Sequence, residues 1–317
     1  MANIAKILTM DSDRHVEGTF VVSDLNSMPF KDPMKGKFLV FNLSDKTGQI
    51  AGKIWKDASE NKKVLKSAQV FEIQGKISKY KGVNQLFVSS VEPAKKFDPT
   101  NFVLASKFNP DIMWEDLVEI LDENITDKNL KLLWERYRDN ENFVNKFKIC
   151  PGGKGNVHHA YIAGLLEHTL NVVRHCVSYC DIYNISTSVI CMGAFLHDLG
   201  KMLAYTYDLV IGMTDIGRLH SHINLSYALV TPIIDKLEIS KEERNKMKLT
   251  IGHLILSHHG TLEQGSAVKP MTPEAILLSK ADITDSEYNL ATIYTEKITE
   301  GNWSGYDVLK GKYYYKE

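Results

Sequence analysis

The sequence predicts two domains of different class, an N-terminal all-β barrel of the OB-fold type and a C-terminal all-α helical bundle. Segments of β character are confined to the first 95 residues, and helical periodicity fills the remainder. Ten of the eleven histidines lie between His158 and His259, which points to a functional centre inside the bundle. We place the OB-fold domain at 1–95, a helical connector that packs on the bundle at 96–157, and the bundle domain at 158–317.

The composition is that of an ordinary cytoplasmic protein. Of the 317 residues, 44% are hydrophobic and 24% are charged. The four cysteines are irregularly spaced, so no disulfide framework is indicated and a reducing compartment is expected. The first residues lack the pattern of a signal peptide, and no apolar stretch reaches membrane-spanning length. We expect a cytoplasmic location and no membrane partner, and a homo-oligomer stays open.

The net charge of −1 hides an uneven distribution. The first 96 residues carry 16 basic and 10 acidic side chains, whereas the rest of the chain carries 22 and 29. A basic domain on a near-neutral chain is typical of a module that binds a polyanion. The alternative interpretation is a set of scattered, solvated lysines.

The N-terminal elements follow the order of an OB-fold. Strands are predicted at 16–23, 37–43 and 49–55, with a polar loop between the first two. A short helix capped by Asp57 follows, and two more strands are expected at 70–78 and 85–91. Three strands, a helix and two strands in about eighty residues are the OB-fold sequence of elements.

An OB-fold binds single-stranded nucleic acid on its second and third strands and the neighbouring loops. Aromatic side chains stack on bases there while lysines follow the phosphates. The alternative for Phe38 and Trp55 is a place in the core, because a strand hides half of its residues. Tyr80, expected in a turn, is the clearest exposed aromatic. The predicted contact residues are Lys37, Phe38, Lys53, Trp55, Lys79, Tyr80 and Lys81.

The chain after residue 96 is predicted to form helices with recognisable ends. Asn109 and Thr126 are predicted to cap the first two helices. Ser240 and Glu243 form the pattern of a capping box, and Thr272 precedes the last long helix. The other predicted helices cover 165–180 and 186–199, and one begins near His222.

Seven residues on these helices are suited to bind metal ions, and they come from five segments. Helical bundles build metal sites from side chains that project inward from facing helices. Imidazole and carboxylate ligands favour Mn²⁺, Fe²⁺, Co²⁺ or Zn²⁺, and seven ligands exceed the need of one ion. We therefore predict two divalent ions that activate a water for phosphoryl hydrolysis. The predicted ligands are His168, His197, Asp198, His222, His258, His259 and Asp282.

Four residues receive further roles. Asp198 is the candidate bridge between the two ions, and Lys201, one turn beyond it, can reach a phosphate oxygen. Both are predicted to be catalytic. His158 and His159 precede the first ligand and are candidates to contact the scissile phosphate or the 3′ end. A structural role is the alternative for this pair.

The arrangement resembles the HD superfamily of metal-dependent phosphohydrolases. His168, the His197-Asp198 pair in H-D-L-G-K and the distal Asp282 match its signature. The runs 158–169 and 257–266 are similar to those of the YhaM family, although Ala163 stands where that family has glycine. The resemblance implies an N-terminal OB-fold, a C-terminal HD domain, and Mn²⁺-dependent 3′→5′ release of 5′-nucleotides from RNA or single-stranded DNA. It implies all the predicted ligands except His259, which it leaves open.

Two other functions remain open from the sequence. An HD phosphodiesterase could act on a small nucleotide, but such a substrate has no need of a basic barrel. A non-catalytic DNA- or RNA-binding factor would be expected to have lost at least one ligand, whereas the set is complete.

Overall fold

The computed structural model describes residues 2–80, 82–98, 101–155, 157–308 and 310–317. The chain divides into two compact units, one of residues 1–104 with 208–210 and one of residues 105–207 with 211–317. The predicted boundaries at 95 and 157 stay predictions.

The first unit contains a closed five-stranded barrel, as predicted for an OB-fold. The strands are ordered β1-β2-β3-β5-β4 around the barrel, and only the β3–β5 pair is parallel. Pairing of β1 with β4 closes the sheet, so every strand has two neighbours. The elements are α1 (Ile4–Thr9), β1 (His15–Pro29), β2 (Lys37–Asp45), β3 (Gly48–Ile54), α2 (Ala58–Val64), β4 (Val70–Tyr80) and β5 (Val83–Pro93), with a 3-10 turn at Pro33–Lys35.

Strand β1 is longer than the predicted strand at 16–23, and the expected loop begins only after Pro29. Its first half pairs with β4 and its second half pairs with β2. A bulge between Ser23 and Asn26 joins the halves, and Asp24 adopts a left-handed conformation with φ 53°. A bulge bends a strand sharply. The second half is exposed and polar. Such a composition is also typical of a loop, and a loop was therefore predicted there.

The core of the barrel comes from alternate residues of the strands. Phe20, Phe41 and Phe71 are almost completely buried, together with Ile4 of α1. Asp57 precedes α2 as predicted, but its backbone is left-handed and its side chain makes no capping hydrogen bond. The expected cap at Asp57 is therefore wrong.

The second unit is an all-α bundle with one small hairpin. Its helices are α3 (Pro110–Asn124), α4 (Lys128–Arg138), α5 (Glu141–Ile149), α6 (Gly164–Tyr183), α7 (Thr187–Leu196), α8 (Lys201–Ala204), α9 (Asp215–Asp235), α10 (Lys241–Ser257) and α11 (Pro273–Glu296). The hairpin consists of β6 (Tyr205–Tyr207) and β7 (Ile211–Met213).

Most predicted helix ends agree with the structure. Ser240 and Glu243 form the capping box at the start of α10, and Thr272 caps α11. Thr126 does not cap α4, because its backbone N–H donates to Ser188 Oγ and Asp127 takes the capping position. Helix α7 ends at Leu196, three residues earlier than expected.

Helix α9 consists of two helical segments that meet at a kink, and its first segment, which begins at Asp215, was not predicted. Ser221 has φ 63° and ψ 149°, so the helix is kinked immediately before His222. The predicted helix start near His222 coincides with the second segment of α9.

A single hydrophobic core joins the helices of the second unit. Trp134 of α4, Phe147 of α5 and Phe195 of α7 are completely buried and in ring contact. Helices α3 to α5 thus pack on the same core as α6, α7, α10 and α11. Across the part of the chain that the structure describes, none of the helices combines the length and the apolar character needed to cross a membrane.

Candidate functional site

The seven predicted metal ligands converge at the centre of the second unit. Helices α6, α9 and α11 supply one residue each, and the residues that follow α7 and α10 supply the rest. His168, His197 and His258 are completely buried, and Asp198 is only 2% exposed. Buried charged and imidazole groups at this density require partners or cations.

Three of the residues form a first group around one carboxylate oxygen of Asp198. His168 Nε2 lies 3.2 Å from His197 Nε2 and 3.2 Å from Asp282 Oδ1. The same two imidazole nitrogens lie 3.5 Å and 3.3 Å from Asp198 Oδ2. Such spacing suits ligands that surround one small cation.

The other three form a second group around the opposite oxygen of Asp198. His222 Nε2 lies 3.3 Å from Asp198 Oδ1 and 3.3 Å from His259 Nε2. His258 Nε2 lies 3.6 Å from Asp198 Oδ1. The ligand atoms of His222, His258 and His259 all lie within 4.8 Å of one another, so His259 is placed with the ligands that the motif implied.

The unsatisfied polar atoms of the centre fit a cation. Asp198 Oδ1 and His258 Nε2 are buried and have no hydrogen-bond partner among the described residues. Buried polar atoms nearly always have a hydrogen-bond partner, so two unpartnered atoms that face each other are unusual. A divalent ion in the second group would satisfy both.

The imidazoles are held so that Nε2 faces the centre. The Nδ1 atoms of His197, His258 and His259 donate to the backbone oxygens of Ala194, Ile255 and Gln264, at 2.7, 2.7 and 2.8 Å. A carbonyl can only accept, so each Nδ1 carries a proton, and in the neutral form of each ring the lone pair lies on Nε2. This is the tautomer that a metal ligand needs.

Asp285 was missed in the sequence and belongs to the centre. Its Oδ2 lies 2.6 Å from His168 Nδ1 and 2.7 Å from His159 Nε2, and it is 4% exposed. The available signal was its position three residues after Asp282, which puts both carboxylates on one face of α11.

Lys201 is buried against the Asp198 carboxylate, with its Nζ 2.5 Å from Asp198 Oδ2. Burial alone would lower the pKa of Lys201, but the Asp198 carboxylate raises it above the ordinary value. Burial would likewise raise the pKa of Asp198, whereas Lys201 and His197 hold it well below its usual range. Both groups are therefore charged at neutral pH.

Two histidines of the second group, His222 and His258, are neutral at pH 7. Burial lowers the pKa of His258 to about 4 and that of His222 well below its ordinary value. Neutral imidazole is the ligand form.

His158 and His159 occupy different environments. The ring of His158 is half-buried with its centroid 5.5 Å from that of His168, and burial lowers its pKa well below the ordinary value. His159 is buried, and both of its ring nitrogens are taken by Asp285 and the Tyr161 hydroxyl. The structure thus brings His158 to the edge of the centre and His159 behind it.

Two backbone features explain the residues around the ligands. A Cβ at Gly200 of the H-D-L-G-K run would lie 2.0 Å from the carbonyl oxygen of His222, so only glycine fits this approach of α9. Ala163 precedes α6 with φ 65°, in the left-handed region where glycine is favoured. This conformation accounts for the glycine that the resembling family has at this position.

The barrel carries an aromatic and basic surface at the predicted place. Phe38 stacks on Trp55 with centroids 4.6 Å apart, and Lys53 Nζ lies 5.7 Å from the centroid of Trp55 and 5.2 Å from that of Tyr80. Trp55 is 39% and Tyr80 is 60% exposed, and Tyr80 ends β4 instead of lying in a turn. Phe30 and Phe87, which were not predicted, complete the ring cluster.

The remaining predicted contact residues are less closely grouped. Lys37 lines a depression beside Trp55, together with Lys35, Lys56 and Lys62. Lys79 is exposed on β4, and Lys81 lies outside the described residues.

Comparison with known proteins agrees with this geometry. The family model of the HD domain matches residues 165–287, and that of an OB-fold nucleic acid binding domain matches residues 34–94. The 3′-5′ exoribonuclease YhaM of Halalkalibacterium halodurans is 28% identical over 271 residues, which cover 84% of this chain and 82% of that protein. The resemblance to the YhaM family is confirmed.

Other YhaM proteins match to a similar extent. The 3′-5′ exoribonuclease YhaM of Geobacillus sp. is 28% identical, and that of Listeria monocytogenes is 27% identical, over 84% of this chain in both cases. The matches cover 81% and 84% of those proteins. Among solved structures, the HD domain of the L. monocytogenes phosphodiesterase PgpH matches 43% of this chain and 69% of that chain, at 19% identity and a TM-score of 0.26. A superposition this weak carries no argument.

Proposed function

We propose that this protein is a metal-dependent 3′→5′ exoribonuclease that removes 5′-nucleotides from the 3′ end of single-stranded RNA, or of single-stranded DNA. The observation that carries the proposal is the position of Asp198, whose two carboxylate oxygens face two separate groups of ligands. The YhaM proteins that the chain resembles are named 3′-5′ exoribonucleases.

The metal-binding roles follow from the two groups. His168, His197 and Asp282 would hold one ion, His222, His258 and His259 would hold the other, and Asp198 would serve both. Two divalent ions, when bound, supply an activated water and charge stabilisation for in-line phosphoryl displacement. The ligand types favour Mn²⁺, Fe²⁺, Co²⁺ or Zn²⁺, and Mn²⁺ is our first choice because the family resemblance implies it.

Lys201 and His158 act on the substrate. The Lys201 ammonium, charged and buried, can offset the charge that develops on the phosphoryl oxygens. His158 is neutral at pH 7, so its ring can donate a hydrogen bond to a phosphate oxygen or accept one from the terminal 3′-hydroxyl. His159, with both nitrogens occupied, supports the centre and does not contact the substrate.

The barrel supplies the preference for a polymer. Its exposed aromatic rings can stack on successive bases while the lysines meet the phosphates. A mononucleotide substrate would make no use of this surface. We keep a cytoplasmic location and a homo-oligomer as predictions.

The test is a nuclease assay with the full-length protein and Mn²⁺. RNA labelled at its 5′ end is expected to shorten progressively, and RNA labelled at its 3′ end to release a labelled 5′-nucleotide at once. Asp198→Asn is expected to be inactive on both. If the wild-type protein hydrolyses a small nucleotide phosphodiester but leaves RNA intact, the small-substrate alternative replaces the proposal. If it binds RNA but cleaves neither, it is a binding factor.

A further inference from the structure

We propose that Asp285, held in place by His159, is a positioning residue that fixes His168 as a ligand and makes the first metal group the tighter of the two. The inference rests on the metal centre of the proposed function. It goes beyond that function by assigning roles to two residues that lie behind the ligands.

The hydrogen bonds around Asp285 form a chain with only one consistent assignment of protons. A carboxylate accepts, so His168 Nδ1 and His159 Nε2 both donate to Asp285 Oδ2, at 2.6 and 2.7 Å. Asn171 Nδ2 donates to Oδ1 at 2.9 Å. With its Nδ1 proton donated to Asp285, His168 turns its Nε2 toward His197 and Asp282, the side on which an ion would be bound.

His159 is fixed from its other side. Its Nδ1 accepts from the Tyr161 hydroxyl at 2.8 Å, and that hydroxyl accepts from Asn289 Nδ2 at 3.1 Å. The backbone N–H of His159 donates to Asn289 Oδ1 at 2.8 Å. The chain therefore satisfies the ring nitrogens of His159 and pins its backbone.

The glycine-rich segment before His159 contributes to this placement. Gly152 N–H donates to the His159 carbonyl at 2.9 Å, and a Cβ at Gly164 would lie 2.1 Å from the same oxygen. His159 itself has φ 50°, in the left-handed region. Gly152 and Gly164 pack closely against this carbonyl, and this packing holds His159 in its strained conformation next to α6.

His159, His168 and Asp285 do not form a third metal site. Their ligand atoms are 2.6 and 2.7 Å apart, which are hydrogen-bond distances. Two ligands of one ion, each at about 2.1 Å, lie about 3 Å or more apart. The buried cluster is therefore a support for the centre.

Because of this support, the two metal groups differ in the hydrogen-bond partners and the charge of their ligands. His197, His258 and His259 each donate Nδ1 to a neutral backbone oxygen, whereas His168 donates to a carboxylate. A carboxylate partner orients an imidazole ligand and makes it more basic. The first group also holds the Asp282 carboxylate, while the second consists of three imidazoles beside Asp198.

The test measures Mn²⁺ binding to the full-length protein by calorimetric titration, with wild type expected to show a tight and a weaker site. Asp285→Ala is expected to weaken the tight site about 10- to 100-fold and to leave the weaker one within about twofold. Asp285→Asn keeps an acceptor for both imidazoles but removes the charge. Its Mn²⁺ affinity at the tight site is therefore expected to lie between those of wild type and Asp285→Ala. If Asp285→Ala does not fold, Asp285→Asn decides.

A double-mutant cycle separates positioning from a general structural role. In a His168→Ala background, Asp285→Asn should cause no further loss of Mn²⁺ affinity, because its effect acts through that imidazole. His159→Leu should weaken the tight site, and His159→Gln, which keeps a donor for Asp285, should restore most of the affinity. Ser279→Ala, a buried change on the same helix α11, is the control and should leave binding unchanged.

Additive losses in the cycle, equal effects of the two His159 variants, or an unchanged tight site in Asp285→Asn would overturn the inference. Because the measurement is Mn²⁺ binding, its failure is separate from that of the proposed function, which would show as an absence of RNA shortening by the wild-type protein.

Discussion

Lys201 Nζ lies 2.5 Å from Asp198 Oδ2, and both side chains are buried. Lys201 follows Asp198 by three residues, so the H-D-L-G-K run itself places the Lys201 ammonium against the Asp198 carboxylate. In the proposed function this ammonium also meets the phosphate.

Lys201→Met is expected to lower kcat on RNA by about 100- to 1,000-fold, because a charge aimed at the developing phosphoryl charge is lost. Mn²⁺ affinity should not fall, since the variant keeps all seven ligands and frees Asp198 Oδ2 from a competitor. Single-turnover cleavage and Mn²⁺ titration measure the two effects. Lys248→Met, which breaks a peripheral ion pair with Asp235 in the same unit, is the control and should retain full activity. Normal cleavage by Lys201→Met would remove this residue from the mechanism.

Trp55→Ala is expected to weaken the binding of single-stranded RNA, measured by fluorescence anisotropy in EDTA so that no cleavage occurs. Stacking of one base on an aromatic ring contributes about 1–3 kcal/mol, which corresponds to about a 5- to 150-fold loss of affinity. Trp303→Ala removes another exposed tryptophan, in the second unit, and should change the affinity less. Equal affinities of wild type and Trp55→Ala would contradict a nucleic-acid role for this surface.

Ser221→Gly is expected to raise the free energy of unfolding by about 1 kcal/mol. The φ and ψ of Ser221 lie in a region that is nearly exclusive to glycine and costs other residues about 1–3 kcal/mol, while the added chain flexibility offsets about 0.5–1 kcal/mol. Asn224→Gly, an exposed helical position of α9, should instead destabilise by a few tenths of a kcal/mol. Urea unfolding of the metal-free proteins checks both signs, and a loss of stability in Ser221→Gly would show that the kink is not strained.

Glu243 gives a prediction for pH dependence. Hydrogen bonds from the Asn129 amide and from the Ser240 backbone lower the pKa of Glu243 to about 2. Because the folded pKa is depressed, this stabilisation is complete above the ordinary pKa near 4.5 and is lost as the pH falls toward about 2. The stability difference between wild type and Glu243→Gln should therefore shrink over this range.

The control for this pH dependence is Glu242→Gln, which removes the same charge one position earlier and leaves the capping box intact. Its effect on stability should vary less with pH between 4.5 and 2. A constant difference between wild type and Glu243→Gln across the range would show that the carboxylate charge is not what the capping box uses.

Local patterns made several features predictable. The capping box at Ser240 depends on two residues three positions apart, and the barrel strands depend on an alternation that short segments display. The metal ligands were recognisable because histidines and aspartates cluster in the chain and because their motif is specific.

Features that depend on tertiary contacts were not predictable. The kink at Ser221 lies directly before the contact of His222 with Gly200, a contact between segments about twenty residues apart that no local signal encodes. Asp285 could be placed on the face of Asp282, but its acceptance of hydrogen bonds from both His159 and His168 requires their positions in space. Phe30 lies directly after strand β1, in a region that was predicted to be a loop because the second half of β1 is polar.

The number of Mn²⁺ ions bound per chain, by calorimetric titration and elemental analysis, tests most directly the claim that Asp198 joins two metal sites. Two ions are expected for the wild type, a loss of affinity at one of the two sites for His168→Ala and at the other for His222→Ala, and a loss of affinity at both sites for Asp198→Asn. A single ion per wild-type chain, or an Asp198→Asn variant that binds two ions with wild-type affinity, would contradict the account.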